Sequence, residues 1–145
     1  MKIILILLAM TAAQAAPLTD FSVYIKGTLL CHEEPYKNRN LEIFSEGERL
    51  RYEDDMDRFT KDNGEFSIKA WITTDAYMIT PYVMIYHNCW EMKEVPHRCQ
   101  RKILQPLMPP NVTVDSKTPN ENKLYNFGVI DLQFKHPAEV EVHCG

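Results

Sequence analysis

With 145 residues and 16 basic against 20 acidic side chains, the chain carries a formal charge of −4, which argues against nucleic acid as its partner. Its length suits one domain, and no long linker, internal repeat or low-complexity tract interrupts it.

Met1-Lys2 is a basic start, residues 3–10 form an apolar run of signal-peptide length, and Ala13-Gln14-Ala15 has the small-x-small pattern of a cleavage site. Cleavage is expected after Ala15. Residues 16–145 then form a single secreted domain in which 15 basic face 20 acidic residues, a charge of −5. A membrane span needs about 20 apolar residues. The leader turns polar and reaches Pro17 first, so no transmembrane segment is expected. Residues 141–145 lack the hydrophobic tail of a glycolipid-anchor signal.

Residues 21–31 alternate apolar and polar side chains and read as the first strand, followed by a turn over 32–38. Residues 40–45 supply a second strand with Leu41 and Ile43 on one face; the charged stretch 46–57 reads as loop or a short edge segment. Asp62-Asn63-Gly64 is a hairpin signal, because Asn-Gly supplies the positive φ angles of tight turns, so a strand over 65–71 should follow with Phe66 and Ile68 inward. In residues 82–89, Val83 and Ile85 point one way and Tyr82, Met84 and Tyr86 the other. Residues 90–98 read as a helical turn. A strand over 99–107 ends at Pro106 and Pro109-Pro110, since proline cannot donate to a ladder. After a loop over 112–122, residues 125–134 form another strand and 140–143 a last short one. The fold expected is all-β, an antiparallel sandwich of seven or eight strands, because parallel neighbours call for helical crossovers that the chain lacks.

Cys31, Cys89, Cys99 and Cys144 all follow the leader, and in a secreted chain four cysteines are most simply two disulfides. Three pairings are open. The expected one joins Cys89 to Cys99 across a short connection and Cys31 to Cys144 to tie down the terminus.

Five stretches in order, Val23-Tyr-Ile-Lys-Gly-Thr-Leu-Leu-Cys31, Thr60-Lys-Asp-Asn-Gly-Glu-Phe66, Pro81-Tyr-Val-Met-Ile-Tyr-His-Asn-Cys89, Cys99-Gln-Arg-Lys102 and Asn126-Phe-Gly-Val-Ile-Asp-Leu132, resemble the nematode transthyretin-like family. The resemblance covers nearly all of the secreted part. It implies a transthyretin-like, prealbumin-type sandwich and an extracellular binding role without catalysis, with one member associated with phosphatidylserine on dying cells and a phagocyte receptor. The related 5-hydroxyisourate hydrolases end in Tyr-Arg-Gly-Ser, whereas this chain ends His143-Cys144-Gly145.

Each cysteine has a histidine beside it: His32, His87, His97 and His143. Zinc accepts thiolate and imidazole, but no Cys-x-x-Cys pair is present and export favours oxidised sulfur, so neither a metal nor a cofactor is expected. A cysteine nucleophile would need a reduced thiol beside His87 or His97, which the even cysteine count opposes. Asp54, Asp55, Asp57 and Asp62 miss the calcium-loop spacing and read as a solvated acidic loop. His97, Arg98, Arg101 and Lys102 concentrate positive charge and are the candidate binding patch for lipid phosphate or an acidic receptor. Asn111-Val-Thr113 is a glycosylation sequon. Trp71, Tyr82, Tyr86, Trp90, Tyr125 and Phe127 are expected to be core or sheet-packing aromatics rather than a ligand pocket.

The expected function is that of a secreted, non-enzymatic binding protein whose partner is a cell-surface receptor, a phospholipid or a small hydrophobic ligand. A hydrolase and a signalling or host-directed factor are the alternatives.

Overall fold

The computed structural model describes residues 17–90 and 100–140; the leader, residues 91–99 and residues 141–145 lie outside the described residues. Six strands carry the architecture: β1 (Thr19–Cys31), β3 (Leu41–Ser45), β6 (Glu65–Thr74), β7 (Tyr82–His87), β8 (Arg101–Pro106) and β10 (Tyr125–Asp131). Five two-residue segments join them: β2 (Glu34–Pro35), β4 (Glu48–Arg49), β5 (Arg51–Tyr52), β9 (Thr113–Val114) and β11 (Glu139–Val140). The described residues thus hold eleven strand segments rather than seven or eight, because edges expected as loop make brief pairings.

The strands form two sheets, one in the order β10-β1-β6-β5 with β2 and β9 also on β1, the other β11-β8-β7-β3-β4. Period-2 alternation decides which side chains lie between them. Val23, Ile25, Ile68, Leu41, Ile43, Val83 and Ile85 have no solvent exposure, and Phe66 is 2% exposed. Tyr52 directs its hydroxyl to accept the Ile43 N–H at 3.1 Å, linking β5 of the first sheet to β3 of the second. Of the aromatics expected in the core or packed on the sheets, Tyr125 and Phe127 do pack half-buried against it and Trp71 and Trp90 are half-buried, whereas Tyr82 and Tyr86 are exposed; Phe21 and Phe66 fill the interior.

One pairing departs from an antiparallel sandwich. β1 and β10 run parallel, with Ile25 opposite Tyr125. No helix is needed for this crossover, because β3, β7 and β8 of the second sheet lie between the two strands in sequence and return the chain. Their register shifts between Lys26 and Thr28, where Gly128 adopts φ +67° and donates its N–H to Asn126 Oδ1 at 2.8 Å.

The Asp62-Asn63-Gly64 turn also differs in detail. Only Gly64 has positive φ, at +81°, while Gly64 N–H donates to Lys61 C=O and Lys61 N–H to Glu65 C=O. This is a three-residue turn ending in a glycine bulge, not the two-residue turn in which both central residues are left-handed. Left-handed pairs occur instead at His32 and Glu33, φ 51° and 66°, between β1 and β2, and at Glu46 and Gly47, φ 50° and 79°, between β3 and β4.

The expected cysteine pairing is corrected by the fold. Cys31 at the end of β1 bonds Cys89 just beyond β7, with Cα atoms 5.8 Å apart and 58 residues of separation. Strand ends in opposite sheets are close in space although far apart in sequence, so neither Cys89–Cys99 nor Cys31–Cys144 forms. Cys99 and Cys144 lie outside the described residues.

Candidate functional site

Three places gather the chemistry-bearing side chains. The first is the corner around the disulfide. Arg101 begins β8, and its position alternates with Lys102 so that it faces inward with Ile103. It is 8% exposed. Its guanidinium pairs with the Glu139 carboxylate through Nε to Oε1 and through Nη2 to Oε2 at 2.8 Å, while Nη1 donates to the carbonyls of Cys89 at 2.8 Å and Leu132 at 2.9 Å. A fork with five donors suits this convergence of one carboxylate and several carbonyls. The Trp90 ring lies 5.2 Å from its central carbon.

His87 closes the same corner. It is 2% exposed and its Nδ1 accepts the Cys89 N–H at 3.1 Å. Burial, reinforced by the Arg101 charge, holds its pKa down to about 4. The hydrogen bonds from Arg101 hold the Glu139 carboxyl below its ordinary range. His87 is therefore a neutral acceptor in a packed corner, with no thiol for it to activate in the oxidised Cys31–Cys89 pair. Cys31, His32 and Cys89 do bring their donor atoms within 4.8 Å of one another, but the sulfurs are consumed by the disulfide, so this set does not suit a thiolate-bound metal.

Two of the four residues of the expected basic patch are described, and they point opposite ways. Arg101 is buried in its ion pair, Lys102 lies outward over the Tyr86 ring at 5.6 Å, and His97 and Arg98 lie outside the described residues. At the sequon, Asn111 Nδ2 donates to the carbonyls of Lys123 and Leu124 at 3.3 and 3.4 Å, and Thr113 is buried with its hydroxyl accepting the Asn120 N–H. A glycan on Asn111 would have to be attached before this corner closes.

The second place is the outer face of the β3-β7-β8 sheet. Register sets Phe44 opposite Tyr82 opposite Pro106, Met84 opposite Leu104, and Tyr86 opposite Lys102. The result is an apolar, tyrosine-bearing row, with Tyr82 39% and Tyr86 41% exposed, edged by Lys102 and the surface pair Arg49–Glu42. The sequence showed the alternation that turns these residues outward, but a default of burying aromatics hid their availability.

The third is the outer face of β1 and β6, where two open hollows lie near the ends of β6. One, of about 490 Å³, is bordered by Lys26, Lys61, Ser67 and Asn126; the other, of about 260 Å³, by Arg49, Arg51, Trp71 and Lys117. Sequence reading missed both, because the cations come from β1, β4, β5 and two loops scattered along the chain. No helix among the described residues is long and apolar enough to cross a membrane.

The Transthyretin-like family model matches residues 26–107, more than half of the chain. Transthyretin-like protein 46 of Caenorhabditis elegans is 29% identical over 133 residues, covering 91% of this chain and 70% of the relative. Transthyretin-like protein 33 of the same organism is 26% identical over 119 residues, covering 81% of this chain and 78% of the relative. Among solved structures, a 9R-lipoxygenase from Cyanothece aligns with a TM-score of 0.36 at 16% identity over 78% of this chain and 17% of that one, a likeness too slight to bear on fold or role. The chain belongs to the transthyretin-like family, and that membership supports a secreted, non-enzymatic extracellular binding protein.

Proposed function

We propose that this protein binds a cell-surface receptor protein through the outer face of the β3-β7-β8 sheet. The observation that carries this reading is the contiguous row of Phe44, Tyr82, Met84, Tyr86 and Leu104 on one sheet face, where the one carboxylate among them, Glu42 opposite Met84, is drawn toward Arg49 at the edge. Tyrosine-rich, charge-poor centres with polar edges are the composition of protein-binding surfaces, and rigid aromatic side chains lose little entropy when covered. The hydrolase alternative fits poorly, since His87 is buried and neutral and lacks a nucleophile beside it. The phospholipid reading of residues 97–102 loses Arg101 to its ion pair.

Saturable binding of the labelled protein to cells, with no binding to protein-free lipid vesicles, is the expected result. Replacing Tyr82 and Tyr86 together by Ser weakens it at least about tenfold while the melting temperature is retained. Unchanged cell binding by that variant would remove this face from consideration.

Three further parts of the proposal concern maturation. A leader cleaved after Ala15 predicts Ala16 as the N-terminal residue of the secreted form. A second disulfide joins Cys99 to Cys144: both are left over once Cys31 and Cys89 pair, and Val140 of β11 is opposite Lys102 of β8, so the two cysteines follow from neighbouring antiparallel ends. A non-reduced peptide map should contain one peptide pair linked through Cys99 and Cys144. A glycan on Asn111, attached during synthesis, would be seen as mass lost on enzymatic deglycosylation.

A further inference from the structure

Although the chain is acidic overall, its cations are unevenly placed. Along β6 the side chains of Ser67, Lys69, Trp71 and Thr73 point away from the core, alternating with buried Phe66, Ile68, Ala70 and Ile72. Beside them on β1 stand Tyr24 and Lys26, and on β5 stands Arg51, directly opposite Trp71. The guanidinium of Arg51 lies 5.3 Å and the ammonium of Lys117 4.5 Å from the centre of the Trp71 ring. The aromatic ring thus draws two positive charges to one hollow, where Arg49 is a third. Among the described residues neither Arg51 nor Lys117 has a carboxylate within salt-bridge distance; Arg49 has Glu42 only at 3.9 Å.

Lys26 and Lys61 border the second hollow on the same face, together with the hydroxyls of Thr28 and Ser67 and the Asn126 amide. Ser67 and Trp71 are four residues apart on one strand, about 13 Å. Between them Lys69 lies over the Tyr24 ring at 5.1 Å. Acidic groups are present but do not close either hollow: Glu48 borders the first and Glu65 the second, Glu53 stands on the neighbouring edge, and the Asp20 carboxylate accepts the Thr73 hydroxyl.

We propose that this outer face of the first sheet is a docking surface for a linear sulfated polysaccharide, held at one end by Arg49, Arg51 and Lys117 around Trp71 and at the other by Lys26 and Lys61. Three features favour that ligand. The cations come in two groups separated along a flat strand, which suits a chain that repeats its anionic groups rather than a single small anion. Hydroxyl and amide groups lie between the charges, ready to bond to sugar hydroxyls. Of the residues bordering the hollows, only Val129 is a strongly exposed aliphatic, at 69%, so a membrane would find little here to anchor insertion. Arginine forks bind oxyanions through paired donors, and local fields of this kind act within about 8–10 Å despite the opposite net charge. Arg49 of β4 borders both this surface and the tyrosine-bearing face of the other sheet, but Arg51, Lys117, Lys26 and Lys61 lie on this surface alone, so either can fail without the other.

The test is affinity for immobilised heparin at physiological ionic strength. Retention is expected, weakened about tenfold by Arg51→Ser with Lys117→Ser, and about tenfold by Lys26→Ser with Lys61→Ser, as the loss of two surface charges each implies. Lys135→Ser, which borders neither hollow, should leave affinity unchanged, and fully desulfated heparin should not compete. All these side chains point to solvent, so the variants keep the parent melting temperature. Passage of the parent protein straight through the column would overturn the proposal, as would double variants that behave like Lys135→Ser. Binding of phosphatidylserine vesicles that depends on the same four residues, with heparin ineffective, would overturn it in favour of a lipid headgroup.

Discussion

Arg101 shows how one side chain can be decisive without touching a ligand. Its guanidinium donates to both oxygens of Glu139 and to the carbonyls of Cys89 and Leu132, so it joins the end of β7, the start of β8, the segment after β10 and β11. Removing one partner of such a pair leaves the other charge buried. Arg101→Ala should therefore cost about 3–5 kcal/mol, measured by urea denaturation, whereas Lys102→Ala should change stability by less than about 1 kcal/mol. Beside it, His87 supplies a pH dependence with a definite sign. Its folded pKa of about 4 lies below the ordinary 6.5, so between those values the unfolded chain takes up the proton and the folded one resists it. Stability is unaffected by this group above about pH 6.5 and falls as the pH drops to 4, by up to about 3 kcal/mol. Glu139, held low by Arg101, adds a further loss as the medium falls through its own folded range. Denaturation midpoints at pH 7.5, 6 and 5 check the slope, and His87→Asn should flatten it. The inward position of Arg101 was legible in the sequence, since it alternates in phase with Ile103; reading it as surface followed from its charge alone, which ignored the carboxylate that the fold brings from Glu139.

At the scale of elements, period-2 alternation was a faithful guide. Leu41 with Ile43, Phe66 with Ile68 and Val83 with Ile85 all face the core as their spacing requires. What alternation does not encode is which strands become neighbours. The parallel contact of β1 with β10 depends on the path of the whole second sheet, and the two-residue segments form only because longer strands present free edges to them. Turns were legible in place more than in type. Gly64 is required twice over: it has φ +81°, and a Cβ there would lie 2.3 Å from the Leu29 carbonyl oxygen, whose strand it also bonds through Leu29 N–H. Gly64→Ala should lower stability by about 2–4 kcal/mol by thermal denaturation, because a left-handed backbone and a clash with main chain add. At the other turn the Asp131 carboxylate accepts the N–H groups of both His32 and Glu33, which steadies two non-glycine residues in left-handed backbone.

For the molecule as a whole, the Cys31–Cys89 bond is the covalent cross-link between the two sheets among the described residues. Because it closes 58 residues, the chain-entropy estimate of its contribution is about 4 kcal/mol. Replacing both cysteines by Ala should reduce the unfolding free energy by nearly that amount, read from denaturant midpoints. The cysteine count and compartment were legible from sequence, but the partner was not, since closeness in a sandwich is set across the layers rather than along the chain. The two proposed binding faces divide by chemistry in the same way: one sheet turns tyrosines outward and the other turns cations outward, which no local motif announces.

The carbonyl that receives the Arg101 fork belongs to Cys89 itself, so covalent bond and ion pair share a residue. A copy held where sulfur stays reduced loses the tether, and the strand end at Cys89 is then fastened to β8 by hydrogen bonding alone.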